Sequence, residues 1–239
     1  LPFYPLHARQ TERWLMALLI VGVVARVLRF ALRFPFWYDE AALSASFLDR
    51  GFWDLAKPLE CGQACPILFL AGQLASVRLF GFNEFTLRLI PLAAGIGSLF
   101  LFRHMAGRLL RGTALVLAVG VLAVSYPAIR YSTEGKPYGT DLFVSLGLLA
   151  LLVEWLRRPE QLRWLWALAL AAPVAMGLSF PAAFIGGGVS LAAAWALMRR
   201  GPRAGWRPWI AFNLTMLAGF LATQAVAHAN LTEHSAGGM

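Results

Sequence analysis

Residues 66–82 read PILFLAGQLASVRLFGF, and whether this stretch crosses a membrane decides the fold. Taken alone it is apolar enough to count as a span. Gln73 and Arg78 stand in its middle, however, which suits an amphipathic helix lying at an interface better than one crossing hydrocarbon. The rest of the chain settles the choice. Apolar stretches long enough to cross, about 17 to 25 residues, fall at 14–34, 85–102, 113–129, 138–155, 164–180, 182–198 and 209–227. Arginines cluster between them: Arg9 and Arg13, then Arg103, Arg108 and Arg111, then Arg157, Arg158 and Arg163, then Arg199, Arg200, Arg203 and Arg207. Short basic loops stay in the cytoplasm, so all four clusters belong on one side. A crossing at 66–82 would separate the first two clusters, so the segment lies flat on the outer surface.

Composition agrees with this reading. Hydrophobic residues make up 59% of the chain and charged residues 14%, which is too apolar for one soluble core. The formal charge of +9 resides mainly in the arginine clusters, so it reports topology and lipid headgroups and excludes a nucleic-acid surface. The expected fold is all-α: a multi-span helix bundle of seven transmembrane helices with two amphipathic surface helices in the first outer loop, 35–84. The first surface helix follows Asp39, where Leu43, Phe47 and Leu48 recur at helical spacing against Ser44, Ser46, Asp49 and Arg50. Residues 66–80 form the second. A shorter outer loop spans 130–138, and residues 1–239 read as one membrane module, expected to be the N-terminal part of a longer protein. The sequons at Asn213 and Asn230 carry no weight, since the first falls inside an expected span.

Two polar islands face the same outer side, FWYDEAALSASFLDRGF at 36–52 and RYSTEGKPYGTD at 130–141. Asp39 and Glu40 open the first surface helix. One reading makes Asp39 an N-cap with Glu40 in the first turn; the other makes Asp39 a fixed, partly desolvated base, and the two are compatible. The second island supplies Arg130, Glu134, Lys136 and, one turn into the next span, Asp141. An ordinary polar turn around Gly135 and Pro137 would explain it equally well. Only Lys57 and Lys136 among the 21 basic residues are lysine, and both fall in outer loops, where a compact point charge suits phosphate. Arg26, Arg29 and Arg33 share one face of the first span; Arg26 is expected to find an internal partner and Arg33 to snorkel. Cys61 and Cys65 lack the further ligands of a zinc site, and the spacing leaves open whether they are bridged.

The text WYDEA, PLECGQACPILFL, FGFNEFTLRLIPLAAG and IRYSTEGKPYGTD, in that order over residues 20–145, resembles the bacterial dolichyl-phosphate-mannose-protein-mannosyltransferase-like family of the glycosyltransferase C superfamily. The resemblance implies an enzyme that transfers a sugar from a polyprenyl-phosphate carrier to an acceptor hydroxyl on the outer face of a bacterial inner membrane. By motif, Asp39 matches the catalytic carboxylate, and Glu134 and Lys136 match the motif near the carrier phosphate. Glu40, Arg88, Arg130, Lys57 and Gln63 complete the candidate site. Cys61 and Cys65 depart from the family's pattern, as does the lack of further helices after the module.

Chemistry points the same way. A polyprenyl phosphate is already a good leaving group, so one base and some cations suffice, without the second carboxyl of a glycosidase. Asp39 would take the acceptor proton, and Lys136 with Arg130 or Arg88 would stabilise the phosphate. Glu40, Glu134 and Asp141 offer oxygen ligands for magnesium or manganese, although no spacing requires a metal. The expected partners are the lipid-linked donor, membrane lipid and an acceptor of unknown class. A transporter or flippase would place polar or ionisable groups near the midplane, and the spans at 113–129, 164–180, 182–198 and 209–227 contain no charged residue. A non-catalytic subunit of an envelope complex is the third reading.

Overall fold

The computed structural model describes residues 8–200 and 202–236, and every regular element among them is helical. Each expected span overlaps a helix: α1 (Ala8–Ala31), α4 (Glu84–Leu109), α5 (Gly112–Val124) continued by the short α6 (Tyr126–Tyr131), α7 (Tyr138–Arg157), α8 (Arg163–Leu178), α9 (Ala182–Arg200) and α10 (Trp206–Ala236). Between the first two lie α2 (Tyr38–Ala45), two 3₁₀ turns and α3 (Ile67–Phe80). Four helices are long and apolar enough to cross a membrane by themselves: α1, α4, α7 and the stretch Ala182–Arg199 of α9.

Three apolar cores hold the molecule together. One joins α1, α4 and α5 around Leu15, Leu19, Leu99 and Val119. A second joins α7, α8, α9 and α10 around Leu148, Trp155, Leu168 and Phe212. The third is separate: Leu43, Phe47, Leu55, Phe69, Leu74 and Leu87 bury the segment from α2 to α3 against the start of α4. The first loop is therefore a packed layer with its own core.

That core corrects the amphipathic pattern expected for both short helices. Leu48 is exposed, whereas Ser44 and Ser46 are buried, because α2 lasts only two turns and the chain then folds back over it. The Ser46 hydroxyl accepts a hydrogen bond from the Glu60 N–H at 3.1 Å, which fixes that return. On α3 Arg78 is exposed, but Gln73 is fully buried rather than turned to an interface.

Gln73 has a specific partner. Its Nε2 donates to the Leu87 carbonyl at 2.7 Å, and Leu87 lies four residues before Pro91 inside α4. Proline has no N–H, so that carbonyl lacks its helical donor. A related case is the break between α5 and α6 before Pro127, where α5 ends and the Arg26 guanidinium donates to its last-turn carbonyls, Ala123 O and Leu122 O, at 3.3 Å each and to Gly22 O at 2.9 Å. In the third case, at Pro173 inside α8, the Thr215 hydroxyl serves Ala169 O at 2.9 Å. Backbone groups in hydrocarbon have no water to turn to, so each proline is matched by a donor from another helix. Close packing makes the second match feasible: a Cβ on Gly22 would stand 3.2 Å from the Ala123 Cα, so only glycine lets α1 approach α5 this closely.

The arginine clusters gather at one end. Arg103 at the end of α4 pairs with Glu12 at the start of α1, and Glu154 near the end of α7 pairs with Arg108 at 2.6 Å and His104 at 3.1 Å. Glu40, Arg88 and Gly135 meet at the other end.

Candidate active site

Pro35 to Trp37 run extended into α2, whose N-cap is Trp37. Asp39 therefore occupies the second helical position and Glu40 the third, which corrects the expectation that Asp39 caps the helix. Glu40 does the capping from inside: its Oε2 accepts the Trp37 N–H at 3.2 Å.

The same carboxylate ties three segments together. Arg88 reaches Glu40 with Nε and one terminal nitrogen, both at 3.2 Å, and donates through the other terminal nitrogen to Phe34 O at 2.8 Å. The Gly135 N–H adds a bond of 2.6 Å to Glu40 Oε1. Both residues are 3% exposed. With two N–H donors and a bidentate guanidinium on its oxygens, Glu40 is an ion-paired positioning group, and Arg88 has its charge matched by the same pair.

Asp39, one residue earlier on the helix, lies outside that buried pair. It is exposed and has no hydrogen-bond or ion-pair partner among the described residues. Glu134, Asp141 and Asp39 stand within Coulombic range of the Tyr138 hydroxyl, so the two islands converge around that ring. Tyr138 packs against Tyr131 with ring centroids 4.8 Å apart.

The second island is more buried than a polar turn needs to be. Ser132, Thr133, Glu134 and Lys136 are all buried. Glu134 accepts from Arg130 Nε at 2.5 Å, and the Arg130 guanidinium lies 5.1 Å from the Trp37 ring centre. Lys136, only 7% exposed, donates to Gln63 Oε1 and has no carboxylate partner among the described residues. The turn sits this deep because α7 starts hard against α4: a Cβ on Gly139 would meet the Pro91 carbonyl at 2.9 Å.

Lys57 stands apart, exposed and paired with Asp54 at 2.6 Å. The buried Asp141 Oδ1 and the buried Ser179 hydroxyl face one another, and neither has another partner among the described residues. The expected metal trio does not assemble. Glu40 is committed to Arg88 and two N–H groups and Glu134 to Arg130, and no group of three candidate ligands occurs among the described residues. Cys61 and Cys65 are free thiols; burial pushes the Cys65 thiol up, with Lys136 and Asp141 within Coulombic range of it.

A cavity of about 430 Å³ opens between α1, α6 and the start of α2, walled by Arg29, Phe34, Trp37, Tyr126, Arg130 and Glu134 among others. Arg29, Trp37 and Tyr126 are the residues that sequence reading left out. The signal for Arg29 was its place one turn beyond Arg26 on the same face. Of Arg26, Arg29 and Arg33, Arg26 turns inward, Arg29 lines the cavity, and Arg33 is exposed with its guanidinium 4.2 Å over the Phe85 ring. No protein-family model matches the chain, and comparison with curated proteins finds no significant match.

Proposed function

We propose that this chain is the membrane module of a glycosyltransferase that moves a sugar from a polyprenyl-phosphate carrier to an acceptor hydroxyl on the outer face of a bacterial inner membrane. Seven spans with α2 and α3 in the first outer loop complete the picture. The reading draws on the motif resemblance, and the observation that carries it is local. An exposed, unpartnered Asp39 is held on a buried Glu40–Arg88 tie beside a turn that buries Lys136 without a counter-carboxylate.

In the reaction, the acceptor oxygen attacks the anomeric carbon as the bond from that carbon to the phosphate oxygen breaks. The bonding pair leaves with the phosphate, and the acceptor proton passes to Asp39. Lys136 meets the charge that builds on the phosphate, with Gln63 fixing the ammonium. Arg88 is too fully paired to join it; its task is to hold Glu40, and so α2, in place.

Sugar transfer from a radiolabelled polyprenyl-phosphate donor, by folded detergent-purified variants, tests the assignment. Asp39→Asn should lower transfer roughly 100-fold or more, with carrier binding little changed. Near-normal transfer by that variant would remove Asp39 from the mechanism.

A further inference from the structure

The cavity beside Trp37 carries one positive charge too many. Arg88 is matched by Glu40 and Arg130 by Glu134. Arg29, on the same wall, has no carboxylate partner and makes no hydrogen bond among the described residues; its Nε is buried and unpartnered. What holds it is aromatic: the guanidinium lies 4.2 Å from the Phe34 ring centre and 5.7 Å from that of Tyr126. Such contacts position a guanidinium but leave its in-plane donors free, and those donors match the oxygens of a phosphate. Arg29 thus brings to the cavity wall a charge that no carboxylate among the described residues matches, and its planar guanidinium suits a phosphate.

The rim says what kind of anion. Trp37, Tyr38 and Tyr126 are all exposed there, and amphipathic rings of this kind sit at the level of lipid headgroups. This cavity is also separate from Lys136: Thr133 and Glu134 face it, whereas Lys136 is turned to Gln63 and does not line it.

We infer that the Arg29 cavity binds the phosphate headgroup of a lipid, at a place distinct from Lys136. The binding does not rest on the glycosyltransferase reading. The assay therefore contains no sugar donor, so its failure is distinct from a failure of the Asp39 test.

Native mass spectrometry of the full chain, titrated with dioleoyl phosphatidic acid or dioleoyl phosphatidylcholine, reads the binding. Phosphatidic acid should bind more tightly, and Arg29→Gln should weaken it by about tenfold or more while leaving phosphatidylcholine unchanged. Arg33→Gln removes a neighbouring charge that does not line the cavity and should have little effect. Equal losses in the two variants would mean general surface attraction and overturn the site, as would equal binding of the two lipids. Inorganic phosphate at the same concentration should not displace the lipid; complete displacement would identify a free-phosphate site instead. Should Arg29→Gln fail to fold, Trp37→Ala, which opens the exposed rim, carries the same expectation, and unchanged binding by it would sink the proposal.

Discussion

Replacing Glu40 by Gln removes the only carboxylate paired with Arg88 among the described residues and leaves a buried guanidinium without that counter-charge. Breaking a buried pair from one side costs about 3–5 kcal/mol, whereas replacing both partners by apolar groups costs far less. Thermal unfolding in detergent should therefore show Glu40→Gln as severely destabilised and the double variant Glu40→Met with Arg88→Met as partly recovered. A double variant no better than the single one would mean that the Gly135 and Trp37 N–H groups, not Arg88, set the cost. The cysteines divide just as clearly. Cys61 is exposed, while Cys65 is half-buried at the edge of the first loop's core, where desolvation pushes its thiol up and makes the thiolate less available. A maleimide at pH 8 should label Cys65→Ser faster than Cys61→Ser; equal rates in the two variants would contradict that difference in environment. The adjacent acids show where sequence reading reached its limit at this scale. Asp39 and Glu40 were legible as a pair, but which of them is exposed depends on Arg88 and Gly135, 48 and 95 residues away. No local pattern encodes those partners.

Helices in this chain tolerate proline because another helix supplies the missing donor. Gln73 serves the carbonyl opposite Pro91 and Thr215 that opposite Pro173, while Arg26 serves the last-turn carbonyls of α5 at the break before Pro127. A buried carbonyl left unsatisfied costs about 1–3 kcal/mol, so Gln73→Leu should lower stability by that order. Pro91→Ala restores an N–H at the right position for Leu87, so in that background the Gln73→Leu penalty should shrink. A double-mutant cycle of unfolding free energies measures the coupling, and a coupling near zero would leave the two residues independent. Helix positions themselves were legible from hydropathy, since each expected span overlaps a helix and 66–80 matches α3 closely. The direction each helix faces was not. Gln73 looked like a polar-face residue because periodicity shows which residues share a side, while the need it meets is created by a proline in a different helix.

Both ends of the molecule are defined by ion pairs, and that makes its topology testable as a whole. Glu12–Arg103 and Arg108–Glu154 bring the start of α1 and the ends of α4 and α7 to the arginine-rich end, as the positive-inside argument requires of them. At the opposite end, α3 is 14 residues long, roughly 21 Å at about 1.5 Å per residue. The hydrocarbon core is about 30 Å thick, but α5 at 13 residues is shorter still, so what keeps α3 on one side is the Glu40–Arg88 pair that joins α2 to the start of α4. Trp53, before α3, and Leu79, near its end, are 95% and 75% exposed, and Arg203 is exposed at the arginine-rich end. Single cysteines at these positions, with Cys61 and Cys65 replaced by Ser, read the topology through a membrane-impermeant thiol reagent. Trp53→Cys and Leu79→Cys should both label in intact cells, and Arg203→Cys only after permeabilisation. Labelling of Trp53→Cys and Leu79→Cys from opposite sides would make α3 a span. It would then separate α2 from the start of α4 across the bilayer, an arrangement that the direct Glu40–Arg88 pair does not allow.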